Sequence, residues 1–122
     1  MLLKNFYKID AFETVSETTS VTITINKNHE IFKGHFPNNP VMPGVCMMQI
    51  IKEITEEVTS KTLFMEKCSN VKFMALINPD INNILNLVLN ISETDGIIKV
   101  KNTTHFDETL ALKLVAYYKR IG

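Results

Sequence analysis

His35 is the residue of this chain best suited to moving a proton, because an imidazole titrates near neutrality. It lies in the run Gly34-His35-Phe36-Pro37-Asn38-Asn39-Pro40-Val41-Met42-Pro43-Gly44-Val45. Pro37, Pro40 and Pro43 recur every three residues and fix φ, and the residue before each is held out of the α region. The segment therefore reads as extended and stiff, with Gly34 and Gly44 where the backbone needs unusual angles or close approach. Such a frame can hold His35 for proton transfer; the alternative is a histidine that only hydrogen-bonds its own loop. Gly44 opens an apolar run of helical character. A helix start presents unpaired N–H groups and the positive end of a dipole, so a carbonyl oxygen could be received there as in an oxyanion hole. The plainer reading of Gly44 is a turn into the helix.

Other reactive side chains read more blandly. Cys46 stands near the helix start, where thiol pKa values fall, but a small buried apolar role fits it better than a nucleophile. Met42, Met47 and Met48 suit either an adaptable apolar channel or core filling. His29 and His105 read as partly exposed histidines at strand ends. There is no metal-ligand spacing, no Gly-rich phosphate loop and no Ser-His-Asp order, so no metal or cofactor is expected.

The elements that must carry these residues follow from periodicity. Asn5 to Val15 reads as a first strand anchored by Phe6, Ile9, Phe12 and Val15, and Ser20 to Asn26 alternates strictly as a half-buried strand. Val45 to about Thr59 reads as a helix. Its first half is apolar nearly all round and should be buried on most sides; its second half keeps Ile51, Ile54 and Val58 on one face, with Lys52, Glu53, Glu56 and Glu57 toward solvent. Four strands follow, Leu63–Leu76, Ile84–Glu93, Ile97–Phe106 and Thr109–Arg120. Glu93-Thr94-Asp95-Gly96 and Asp107-Glu108 mark tight reversals. One helix and about six antiparallel strands make an α+β domain. An all-β sandwich is the alternative, and it requires 45–59 to be misread.

Composition excludes whole classes. At 122 residues the chain is expected to form one domain, 1–122. A hydrophobic content of 45% with 21% charged residues is ordinary for a globular protein. Thirteen basic residues balance thirteen acidic ones, which argues against a nucleic-acid partner bound through phosphate neutralisation. Two cysteines give no disulfide framework, and no leader or membrane span is evident, so a cytoplasmic protein is expected. The all-round apolar helix start also implies a partner subunit rather than a monomer.

Gly34-His35-Phe36-Pro37 followed by Pro40-Val41-Met42-Pro43-Gly44-Val45 resembles the signature loop of 3-hydroxyacyl-(acyl-carrier-protein) dehydratases of the FabZ/FabA type. Asn70-Val71-Lys72-Phe73 and Asn78-Pro79-Asp80 are a weaker match to the same family, and the resemblance covers most of the chain from the second strand onward. It implies a hot-dog fold, one antiparallel sheet wrapped around a central helix, assembled as a homodimer or an oligomer of dimers. The implied substrates are acyl thioesters on acyl carrier protein in fatty-acid or related lipid or polyene biosynthesis. His35 would work across the subunit boundary, the amide at Gly44 would hold the thioester carbonyl, and Val45, Phe36, Met42 and Met48 would contact the acyl chain.

One departure qualifies this. In register the family carries an acidic residue where this chain has Gln49. A glutamine hydrogen-bonds from both ends of its amide but exchanges no proton in acid–base work. Glu53, one turn on, is a poor substitute on spacing alone, since a turn advances about 5.4 Å. Three functions are therefore kept in play. The first is a weak or inactive dehydratase. The second is a silent acyl-thioester-binding subunit, pairing with an active paralogue as a heterodimer. The third is a hot-dog thioesterase, which Gln49 and the His-Phe-Pro loop count against.

Overall fold

The computed structural model describes residues 5–32 and 40–121. Strands β1 (Tyr7–Val15) and β2 (Thr18–Ile25) precede a short 3-10 turn at Glu30–Phe32 and the helix α1 (Gly44–Thr59). Strands β3 (Leu63–Phe73), β4 (Ile84–Thr94), β5 (Ile97–Phe106) and β6 (Thr109–Arg120) complete the chain. They form one sheet in the order β1-β2-β4-β5-β6-β3, antiparallel throughout. Sheet plus one helix is the expected composition, and the helix removes the sandwich alternative.

The core lies between α1 and one face of the sheet. Met47, Ile50, Ile51 and Ile54 of the helix share a single buried cluster with Leu85, Leu87, Leu89, Val100, Leu112, Leu114 and Ala116. Strand side chains alternate faces, so alternate residues of β2, β4, β5 and β6 turn toward the helix, most of them apolar members of this cluster and a few buried polar ones such as Asn102 and Thr104. The strict alternation of β2 is seen as Thr19, Val21, Ile23 and Ile25, all buried. The β4–β5 reversal is a two-residue loop with Asp95 at φ 53° and Gly96 at φ 79°. That left-handed pair suits Asp-Gly and matches strand twist.

Several expectations need correction. Of the four anchors expected in the first strand only Phe6 is buried; Ile9, Phe12 and Val15 are exposed. Among the described residues β1 is an edge strand bonded to β2 alone, where a strand's side chains have fewer neighbours to bury against. β2 begins at Thr18, and the helix begins at Gly44. β3 stops at Phe73 rather than Leu76, because the amides of Met74 and Ala75 turn to the Ala111 carbonyl. The first half of the helix is buried on most sides as expected, with Val45, 64% exposed, as the exception. In its second half Glu53 and Glu56 are half-buried and hydrogen-bonded rather than solvated.

Candidate functional site

The helix start is built from backbone. Pro43 occupies the cap position with φ −63° and ψ 139° and offers no side-chain cap. Its carbonyl accepts from the amides of Cys46 at 3.0 Å and Met47 at 3.3 Å. Among the described residues, the amides of Gly44 and Val45 have no acceptor. Two free donors at the positive end of a 16-residue helix are what a developing oxyanion requires. The approach to them is held by a hydrogen bond from the Met42 amide to the Ile77 carbonyl, 2.8 Å. The Phe73 ring covers Gly44 so closely that a Cβ there would lie 2.7 Å from its Cζ. Met42, Gly44, Met47, Phe73, Leu76 and Ile77 line a groove of about 410 Å³. Apolar walls with a few backbone donors suit an acyl chain ending in a carbonyl.

Gln49 opens on the other flank of the helix, in a groove of about 330 Å³ shared with Val45, Met48, Phe64, Met65 and Ile121. Its Nε2 donates to Glu53 Oε2 at 2.9 Å, and the Tyr7 hydroxyl donates to Glu53 Oε1 at 2.9 Å. An ionised carboxylate only accepts, so the amide must turn its NH₂ toward Glu53 and leave its carbonyl oxygen free to accept elsewhere. The helical rise kept Glu53 apart from Gln49 on spacing alone; the two side chains lean together and touch. Burial, and then the Glu53 carboxylate, push the Tyr7 phenol well above its ordinary pKa, so Tyr7 stays a donor.

The expected site residues are thus divided. Gly44 and Met42 line one groove; Val45, Met48 and Gln49 line the other. His35 and Phe36 lie outside the described residues. Cys46 is fully buried, and burial pushes its thiol pKa up, which supports the apolar reading. His29 accepts from the Ile31 amide and stands edge-on to Phe6, and His105 sits within β5. Among the described residues no group of His, Cys, Asp or Glu could hold a metal, and no helix is long and apolar enough to cross a membrane. Sequence reasoning missed Tyr7, which lies 46 residues from its partner Glu53.

Residues 12–111 match the family model described as ApeI-like, ApeI dehydratase. A 3-hydroxyacyl-(acyl-carrier-protein) dehydratase FabZ of Lactobacillus helveticus is 31% identical over 107 residues, covering 81% of this chain and 68% of that protein. Among solved structures, the dehydratase heterocomplex ApeI:P from Xenorhabdus doucetiae superposes with a TM-score of 0.77 at 19% identity, covering 93% of this chain and 97% of that one. A hypothetical thioesterase with coenzyme A from Streptococcus pneumoniae gives 0.69 at 11%, covering 95% and 86%. At such identities the structural likenesses establish the fold, and the matched length establishes the rest: the chain belongs to the ApeI-like, FabZ-related family of hot-dog dehydratases.

Proposed function

We propose that this chain binds 3-hydroxyacyl thioesters on acyl carrier protein and contributes the base and the oxyanion donors of a dehydratase site while lacking its acid. The observation that carries the reading is the pair of free N–H groups at the helix start, with an amide, Gln49, held by Glu53 on the opposite flank where the family carries its acid. The thioester carbonyl sits on the amides of Gly44 and Val45. His35 removes the α-proton, the Cα–Cβ double bond forms, and the β-hydroxyl leaves as water once protonated. Gln49 can orient that hydroxyl through its free carbonyl oxygen, but an amide cannot protonate it. Glu53 is not placed to fill the gap, because it stands one turn beyond the family's acidic position and its carboxylate is engaged by Tyr7 and Gln49. The chain alone is therefore a slow catalyst. It works best paired with a subunit that brings a carboxylate to the Gln49 position, so that one composite site joins His35 to the partner's acid. The name of the heterocomplex with which this fold superposes supports a two-subunit assembly.

The test is turnover of a 3-hydroxyacyl carrier-protein thioester by the chain alone and by Gln49→Glu. Positioned proton transfer is worth ~10²–10⁴-fold, so the variant should gain about a hundredfold. Robust and equal turnover by both would show that another group protonates the leaving hydroxyl.

A further inference from the structure

We propose that the outer face of the sheet carries a separate binding site for a small molecule bearing a phosphate ester, built on Lys72, Lys101 and Lys113. These lysines come from β3, β5 and β6 and, with Val88, Asn90 and Val115, surround a depression of about 430 Å³. It lies on the side of the sheet turned away from α1, where the alternate residues of β4, β5 and β6 are not in the core.

The charge arrangement needs a counterpart. Lys72 stands directly opposite Lys113 in the β3–β6 ladder, and Lys113 faces Thr103, two residues from Lys101. Like charges directly opposite each other destabilise a sheet. Among the described residues the ion pairs use Lys8, Lys61 and Lys119. Lys67 and Lys99 lie over the Tyr117 ring at 4.6 Å and 5.8 Å. Lys72, Lys101 and Lys113, like the scattered Lys27 and Lys52, have neither kind of compensation among the described residues, but they alone are gathered round one depression. A bulge adjoins them, with the register shifting between Ser69 and Lys72 and Asn70 at φ 53°. Bulges commonly re-aim a side chain.

The depression has the volume of a small-molecule site. A phosphate monoester carries a charge of roughly −1.5 to −2 at pH 7, and lysine ammonium groups bind phosphate as point charges. Val88 and Val115 offer an apolar shelf for the carbon part of the ligand, and Asn90 offers a hydrogen-bonding amide.

The experiment titrates the full chain with adenosine 5′-monophosphate and with inorganic pyrophosphate, followed by backbone amide shifts. Saturable shifts confined to residues 70–72, 88–90, 101–103 and 113–115, weakening as salt is added, support the site. Lys101→Gln or Lys113→Gln should each weaken binding about tenfold, whereas Lys27→Gln, exposed elsewhere, should leave it unchanged. Lys113→Gln should also melt no lower than the parent, because it relieves the repulsion from Lys72, so loss of binding cannot be ascribed to unfolding. Absence of saturable shifts with either probe overturns the proposal, as does binding indifferent to the lysines. Capture by phosphatidylserine vesicles through these lysines, with no response to the soluble probes, also overturns it in favour of a membrane surface.

Discussion

Gln49→Glu does more than restore an acid, because it sets a second carboxylate against Glu53. The parent contact is an amide nitrogen 2.9 Å from a carboxylate oxygen. Two carboxylates cannot both stay ionised at that distance, and the pair must share a proton or move apart. At a relaxed separation of ~5 Å and an effective dielectric of ~20, the repulsion is about 3 kcal/mol. Both side chains are half-buried, and solvent in the groove cuts this to about 1.6 kcal/mol. One carboxyl of the variant's pair should then keep its proton to higher pH than an isolated carboxyl does.

The sign of the stability effect follows. Over the range in which the pair titrates, the folded variant holds more proton than the unfolded chain, so its stability falls as pH rises. The penalty is absent where both carboxyls are protonated and complete once both are ionised. Melting curves of parent and variant should therefore nearly coincide at pH 4 and separate by about 6 °C at pH 8, scaling ~1.6 kcal/mol for a chain of this size. Adding Glu53→Gln should remove the pH-dependent part. In the turnover assay, the acid form should be lost at lower pH once Glu53 is neutralised. A melting difference that stays constant from pH 4 to pH 8 would refute the carboxylate pair and the Gln49–Glu53 contact on which it rests.

Gly44→Ala should drive a methyl into the Phe73 ring, lowering the melting temperature by a few degrees and raising KM for the acyl thioester; adding Phe73→Ala should recover the melting temperature, since the three nearest atoms met by the new Cβ, among the described residues, all belong to that ring. Tyr118→Phe should leave stability unchanged or raise it by up to about 1 kcal/mol, because the buried hydroxyl has no hydrogen-bond partner among the described residues; a loss above ~1 kcal/mol in denaturant titration would reveal one. His35→Ala in the Gln49→Glu background should abolish turnover while leaving the melting curve unchanged, and retained turnover per folded molecule would remove His35 as the base.

Much of this architecture was legible because burial imposes a period. The alternation of Thr19, Val21, Ile23 and Ile25 and the helical spacing of Ile50, Ile51 and Ile54 each have one solution when a sheet face meets a helix stripe. β1 was misread because Ile9, Phe12 and Val15 carry the same apolar signal whether a strand is central or marginal; sheet order decides, and order is a long-range property. Gly44 was legible from chemistry, as a residue lacking Cβ before a helical run. The ring of Phe73 over it was not, because helix and strand meet only in the folded chain.

The charged residues teach the same lesson in two ways. Net charge zero reads as the absence of an electrostatic signature, yet alternation within β5 puts Lys99 and Lys101 on one face, and pairing brings Lys113 and Lys72 beside them. A balance summed over the sequence says nothing about such segregation. Gln49 and Glu53 show the converse. Their i,i+4 spacing was plain, but judging them by the rise between their Cα atoms treated the side chains as points. Side chains on a helix lean toward its N-terminus, so a glutamate can reach the glutamine one turn before it. That contact changes what the substitution at 49 means. A glutamine facing solvent would simply be a missing acid, whereas one fixed by Glu53, itself held by the Tyr7 hydroxyl, is an acceptor held in a set orientation. Such an arrangement can grip a β-hydroxyl without expelling it, which is what the proposed division of labour between two subunits requires.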